Sequence, residues 1–137
     1  MRRSLISATG VLLCLTWLTA LPAHGQSDLD KFSAADWNGT WVAQGTVFSV
    51  AVSVQQGIFQ VREAQSLGFV WSSQPGQVEG NRATVEVQYA GVTALVLARL
   101  TSKDTAVVEA ASCMPEFMVV CTLAKGQQAV FVRTSTE

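Results

Sequence analysis

The feature that most constrains this chain is the alternation of apolar and polar residues in short runs after residue 38. In residues 46–55, Val50, Val52 and Val54 alternate with smaller or polar side chains. Residues 83–89 show the same period of two, and Gly, Asn, Pro and Asp interrupt the runs. Because successive strand residues face opposite sides, this pattern predicts half-buried β-strands. The predicted strands are residues 39–44, 46–55, 58–64, 67–72, 83–89, 92–100, 105–113, 117–123 and 127–133.

The connections between these predicted strands are very short. Short connections suit antiparallel hairpins, since parallel strands need crossovers of a dozen or more residues. We therefore predict an all-β fold, a small antiparallel up-and-down β-barrel of about eight strands, with a β-sandwich as the alternative. An outer-membrane barrel is disfavoured, because several runs are shorter than the roughly 9–11 residues that such strands need.

The first 25 residues differ from the rest of the chain. Two arginines follow the initial Met, residues 5–21 are mostly apolar, and small residues surround position 25. A basic start, an apolar stretch and a small-residue cleavage site are typical of a secretory signal peptide, here residues 1–25. A transmembrane anchor is the alternative, but residues 5–21 are slightly short for a span of about 20 residues. We therefore expect an exported, periplasmic or extracellular protein with no membrane span after signal removal.

Removal of this signal would change the composition of the remaining protein. Residues 26–37 would form a polar N-terminal segment and residues 38–137 a single β-barrel domain. Seven basic and ten acidic side chains would remain, giving a net charge of −3. This balance provides no basic surface for nucleic acid. The single histidine, His24, would be lost with the signal, which excludes His-dependent nucleophilic catalysis and imidazole-containing zinc sites.

Two cysteines, Cys113 and Cys121, would remain in the exported chain. An even pair in an exported protein predicts a disulfide. The alternative is a redox or metal-binding pair, but redox pairs are usually separated by two residues, and two thiolates supply only half of a zinc site. We expect the disulfide to join two strands of a hairpin whose turn contains Pro115.

The start of the first predicted strand and the end of the last carry a recognisable combination. Gly39-Thr40-Trp41 opens the first strand, and Arg133 lies in the last. This combination resembles the calycins, a group that includes lipocalins, fatty-acid-binding proteins and avidins. The resemblance implies a barrel in which Arg133 lies across the Trp41 ring and closes the base. A guanidinium also stacks well on an indole face for physical reasons.

Residues 39–50 look most like the opening of avidins, but the ligand-binding pattern differs. Avidins have an asparagine that contacts biotin two residues after the tryptophan, where this chain has Ala43. No tryptophan follows Trp71, so the later tryptophans that enclose biotin are missing. The resemblance thus implies the architecture of a barrel without biotin binding.

Six residues are candidates for binding a ligand inside such a barrel. An eight-stranded barrel holds side chains or one small ligand, and the alternative is that the aromatic residues simply fill the core. An inward-facing arginine could hold a carboxylate, although strand arginines more often lie on the solvated face. The candidates are Phe59, Phe69, Trp71, Tyr89, Arg62 and Arg99.

The sequence offers no recognisable catalytic constellation. Glu63, Glu86 and Glu109 lie within predicted strands, but their spacing brings no pair together for acid–base chemistry. We therefore expect no enzyme activity and no cofactor or metal. The predicted function is non-catalytic binding of a small apolar or amphipathic molecule.

The alternative function is a protein-interaction module, such as an inhibitor or accessory factor of an exported enzyme. The turn before Cys121 is apolar, and the expected disulfide would hold it, so it could enter a cleft of a partner. A loop folded over the end of the barrel is the alternative interpretation. The candidate residues of this loop are Met114, Pro115, Phe117 and Met118.

Overall fold

The computed structural model describes residues 31–65 and 67–136. The predicted signal peptide at residues 1–25 lies outside these residues, as does the beginning of the polar segment. The described chain is almost entirely β-structure, with one short α-helix. The elements are β1 (Gly39–Ala43), β2 (Ser49–Gln55), β3 (Ile58–Glu63), β4 (Trp71–Ser73), β5 (Gly76–Glu79), β6 (Arg82–Tyr89), β7 (Val92–Ser102), β8 (Thr105–Met114), α1 (Val119–Ala124) and β9 (Gln128–Ser135).

The strands form a closed antiparallel barrel, which confirms the predicted fold class. Apart from β4, which pairs only with β6, the strands pair in chain order from β1 to β9, and β9 returns to pair with β1. The β6–β7 pairing completes the ring. This order is that of an up-and-down barrel with eight strand positions, in which full closure removes the unpaired edges of an open sheet.

One position of the barrel is occupied by two short strands, β4 and β5. Both pair with β6, since Trp71 faces Tyr89 and Gln77 faces Thr84. Pro75 lies between them and has no backbone N–H to donate to the ladder. The strand predicted for residues 67–72 was partly wrong, because β4 covers only Trp71–Ser73, and β5 (Gly76–Glu79) lies where no strand was predicted.

The barrel has a closed end, where β1 begins. A short 3₁₀ helix, Ala34–Trp37, precedes β1 and places Trp37 beneath the barrel, where it is only 2% exposed. Its indole Nε1–H donates to the Gly80 carbonyl at 3.0 Å. The Trp41 Nε1–H donates to the Trp37 carbonyl at 2.9 Å. Both large side chains are therefore buried without leaving their polar atoms unpaired.

A capping box fixes the start of the 3₁₀ helix. The backbone N–H of Ser33 donates to Asp36 Oδ2 at 2.8 Å, and the Ser33 hydroxyl donates to the same oxygen at 3.0 Å. The backbone hydrogen bond is the main reason why the pKa of Asp36 lies below its ordinary value, with Lys103 and Arg133 adding smaller electrostatic contributions. The helix that carries Trp37 is thus secured at its first turn.

Gly39 lets β1 approach β9 closely at this end. Its φ of 133° is unfavourable for residues with a side chain. A Cβ at this position would also collide with the carbonyl oxygen of Ser135. The glycine of the Gly39-Thr40-Trp41 sequence therefore has a steric role in closing the barrel.

At the opposite, open end, the structure corrects the prediction for residues 117–123. This segment is not a strand, because Val119–Ala124 form the helix α1. Cys113 and Cys121 form the predicted disulfide, with their Cα atoms 5.3 Å apart. The bond joins the end of β8 to α1 rather than two paired strands, so the expected stapled hairpin was wrong in its second arm.

Candidate functional site

The barrel encloses an apolar cavity of about 510 Å³. This volume lies within the range of about 300–1,000 Å³ that is typical of pockets for small molecules. The inward-facing residues of seven barrel strands and β4 form its walls. The lining consists of Trp37, Trp41, Phe48, Val50, Val52, Phe59, Val61, Phe69, Trp71, Val85, Val87, Tyr89, Val96, Ala106, Val108 and Phe131.

Aromatic residues form the floor of this cavity at the closed end. The ring of Trp37 meets the Phe59 ring edge-on, with centroids 5.3 Å apart. The rings of Trp37 and Trp41 are 6.4 Å apart and tilted by 43°. Their indole N–H groups already donate to backbone carbonyls. The floor therefore offers a ligand apolar surface and no free hydrogen-bonding group.

The cavity opens at the opposite end, between Phe69 and Tyr89. These rings meet edge-on at 6.3 Å, and both residues line the cavity while remaining 52% and 36% exposed. Residues that face both the cavity and the solvent mark its mouth. Phe48 packs beside Trp71 with ring centroids 6.1 Å apart and extends the aromatic wall below this mouth.

The structure brings together the four predicted aromatic ligand-binding candidates. Phe59 lies at the floor, Trp71 in the wall, and Phe69 and Tyr89 at the mouth. The Nε1 atom of Trp71 is buried and has no hydrogen-bond partner among the described residues. Because protein atoms cover this nitrogen, it does not add a polar group to the cavity surface.

The two arginine candidates lie elsewhere. Arg62 pairs with Ala51 and Arg99 pairs with Arg82, on the outer face of the barrel, and both are exposed. Neither lines the cavity. The inward orientation considered for one of them is not observed, because the apolar neighbours Val61 and Ala98 pack against the core and occupy the inward positions of these strands.

Several lining residues were not singled out from the sequence. The alternation in β2 and β6 contained the signal, since Val50, Val52, Val85 and Val87 occupy the inward-facing positions. Trp37 gave no such signal, because it lies in the 3₁₀ helix before the first strand. Its position depends on a tertiary hydrogen bond that strand periodicity does not reveal.

Trp41 and Arg133 meet at the closed end. The guanidinium carbon lies 5.1 Å from the centroid of the Trp41 ring. Arg133 also donates to the carbonyl of Asn38 at 3.1 Å and to that of Lys103, and its Nε–H pairs with Asp104 at 3.1 Å. This is the contact that the calycin resemblance implies, while membership of that group stays a prediction.

Exposed apolar side chains surround the mouth. Phe117 and Val119 are 82% and 71% exposed, and Val70 is 89% exposed. Of the four loop candidates, Met114 and Phe117 are exposed, while Pro115 and Met118 are partly covered. The Met118 side chain approaches Gly91 in the turn between β6 and β7, so the loop lies beside the mouth.

Within residues 31–65 and 67–136, no group of three or more His, Cys, Asp or Glu side chains is arranged to hold a metal ion. No helix of this described part has the length and apolar character needed to cross a membrane. No protein-family model matches the chain, and no curated protein or solved structure gives a significant match.

Proposed function

We propose that this protein is a non-catalytic carrier that holds one small apolar or amphipathic molecule inside its barrel. The observation that carries the proposal is the cavity of about 510 Å³ with its almost wholly apolar lining. A compact domain normally fills its core to near-crystalline density. A space of this size that opens between two exposed aromatic rings therefore suits a ligand better than a packing defect.

The lining residues also support binding without chemistry. Among them, Tyr89 alone has a side-chain oxygen, and the three indole nitrogens are bonded or covered. General acid–base or nucleophilic catalysis needs positioned titratable groups at the ligand. The cavity instead provides surface for burying apolar groups, at about 25 cal/mol per Å² removed from water.

Export forms part of the same proposal. The Cys113–Cys121 disulfide is compatible with an oxidising compartment, and residues 1–25 have the pattern of a secretory signal. In such a compartment a carrier would keep a poorly soluble molecule out of water. N-terminal sequencing of the exported protein tests this part, and a chain that still begins at Met1 would contradict it.

The direct test is native mass spectrometry of protein purified from its own compartment, followed by titration with apolar probes. We expect a retained or readily loaded small molecule at one per chain. A Val87→Trp variant should lose this binding, because the added ring enters the cavity. The matched control is Gln88→Trp, since Gln88 is the exposed next residue of β6. Equal binding by both variants would contradict the proposal.

Protein binding is the second candidate function, favoured by the exposed apolar residues beside the mouth. Met114 and Phe117 are exposed on a segment that the disulfide attaches to β8. A pre-organised apolar loop can enter a partner's cleft at low entropic cost. If native mass spectrometry shows a bound protein, and Phe117→Ser releases it while small-probe binding is unchanged, this function replaces the first.

A further inference from the structure

Among the residues that line the cavity, Tyr89 at the mouth is the one whose side chain carries an oxygen. The indoles of Trp37 and Trp41 already donate to carbonyls, and Trp71 Nε1 is covered by protein. The Tyr89 hydroxyl makes no hydrogen bond to any other described residue. A ligand can therefore satisfy one polar group at the mouth, while the rest of its buried surface must be apolar.

Charged residues on the inner face are distributed unequally between the two ends. Arg133 is the inward-facing cation of the described strands, but it lies at the closed end, against Trp41 and Asp104. At the open end, Glu63 pairs with Val50, which lines the cavity, so Glu63 lies on the same inner face. Its carboxylate has no ion-pair or hydrogen-bond partner among the described residues.

The distribution of these charges determines which head group a ligand can place at the mouth. An anionic head group at the mouth would meet the Glu63 carboxylate and find no inward-facing cation there. A hydroxyl or carbonyl group would meet the Tyr89 hydroxyl without electrostatic repulsion. The apolar part would extend toward the floor formed by Trp37, Trp41 and Phe59.

Resting on the proposed function, we infer that the ligand is an uncharged amphiphile with one polar end, and that anionic amphiphiles of the same length bind more weakly. The polar end lies at Tyr89, and Glu63 selects against a carboxylate. At roughly 30 Å³ for each water-sized group, the cavity of about 510 Å³ accommodates on the order of 15 non-hydrogen atoms. That size corresponds to a single alkyl chain or a compact polycyclic molecule.

The test compares two straight-chain probes of about 14 carbons, a primary alcohol and the matching carboxylate, by calorimetric or tryptophan-fluorescence titration. We expect the alcohol to bind about three- to fivefold more tightly at low ionic strength. Added salt should reduce this difference in affinity, because it screens the repulsion between the carboxylate of the probe and that of Glu63. Equal or tighter binding of the carboxylate would overturn this inference and leave the proposed carrier function intact. Failure of both probes to bind would overturn both.

Three variants assign the selectivity to residues. Glu63→Gln should raise affinity for the carboxylate about three- to fivefold and leave the alcohol unchanged. Glu86→Gln is the matched control, because Glu86 lies between the cavity-lining residues Val85 and Val87 of β6 and therefore on the outer face of the barrel. Tyr89→Phe should weaken binding of the alcohol about fivefold through loss of one hydrogen bond. If Glu63→Gln leaves the ratio of the two affinities, for the alcohol and for the carboxylate, unchanged, the role of this residue is contradicted.

Discussion

At the closed end of the barrel, the indole nitrogens of Trp37 and Trp41 both have carbonyl acceptors, and both rings are almost fully buried. At the open end, the Trp71 nitrogen is buried without a partner, and Phe117 is mostly exposed. Both ends contain large aromatic residues. The ends differ in whether the indole nitrogens have hydrogen-bond partners and in how deeply the aromatic rings are buried.

Under the proposed function, this difference separates the part of the domain that stabilises the fold from the part that binds. The closed end carries the contacts that hold β1, β9 and the 3₁₀ helix together. The open end retains uncovered apolar surface and a cavity, both of which cost stability unless a ligand or partner covers them. Natural sites often show such local departures from complete packing, because function requires accessible surface.

The largest effect is expected from Trp41→Ala at the closed end. The change removes a buried ring from the floor and leaves Arg133 without its aromatic contact. We expect a loss of about 3–5 kcal/mol in the free energy of unfolding, measured by denaturant titration. A loss below about 1 kcal/mol would show that the closed end does not carry the stability assigned to it.

Removal of the disulfide should have the next largest effect. The bond closes a short loop between residues eight apart, for which chain entropy predicts about 2–3 kcal/mol. We expect the double variant Cys113→Ala with Cys121→Ala to lose this free energy of unfolding, and hydrogen-exchange protection to fall further in α1 than in β1 and β2. Equal loss of protection in β1 would show that the two ends are not independent.

A smaller, pH-dependent effect is expected at Asp36. Its lowered pKa means that the carboxylate stabilises the fold at neutral pH. This contribution is lost as the pH falls through the lowered pKa, because the folded protein must then take up the proton. The melting temperature of Asp36→Asn should therefore lie below that of the wild type at neutral pH and approach it in acid. A gap that widens in acid would contradict this assignment.

The smallest effect on stability is expected from Phe117→Ser at the open end. Phe117 is 82% exposed, so the folded protein loses little buried area. The free energy of unfolding should change by less than about 0.5 kcal/mol in the same denaturant titration. A larger loss would mean that this ring is covered in solution, which would change the comparison between the two ends.

The barrel could be predicted from the sequence because alternation is strict where one face is buried. Val50 and Val52 in β2 and Val85 and Val87 in β6 all face inward as their period of two requires. The same reasoning explains why the aromatic cavity residues could be proposed together before their contacts were known.

Prediction failed where local preference and tertiary structure disagree. Val119, Val120 and Thr122 favour strands, yet this segment is helical. Cys121 is buried and bonded to Cys113, and the sequence does not reveal that this contact is made from a helix rather than from a paired strand. The Glu63 side chain was considered only for catalysis, because its place on the inner face at the open end depends on the register between β2 and β3.

The pairing of β1 with β9 has a consequence for the time course of folding. Each of the other pairings of the ring joins strands that follow closely in sequence, whereas the Asn38–Arg133 contact spans 95 residues. Bringing such distant segments together has the largest entropic cost of loop closure, so we expect the β1–β9 pairing that closes the barrel to form late in folding. Arg133→Lys should accordingly accelerate unfolding while leaving the refolding rate nearly constant, as stopped-flow kinetics can show. Arg133 would then set the lifetime of the closed barrel by slowing its unfolding.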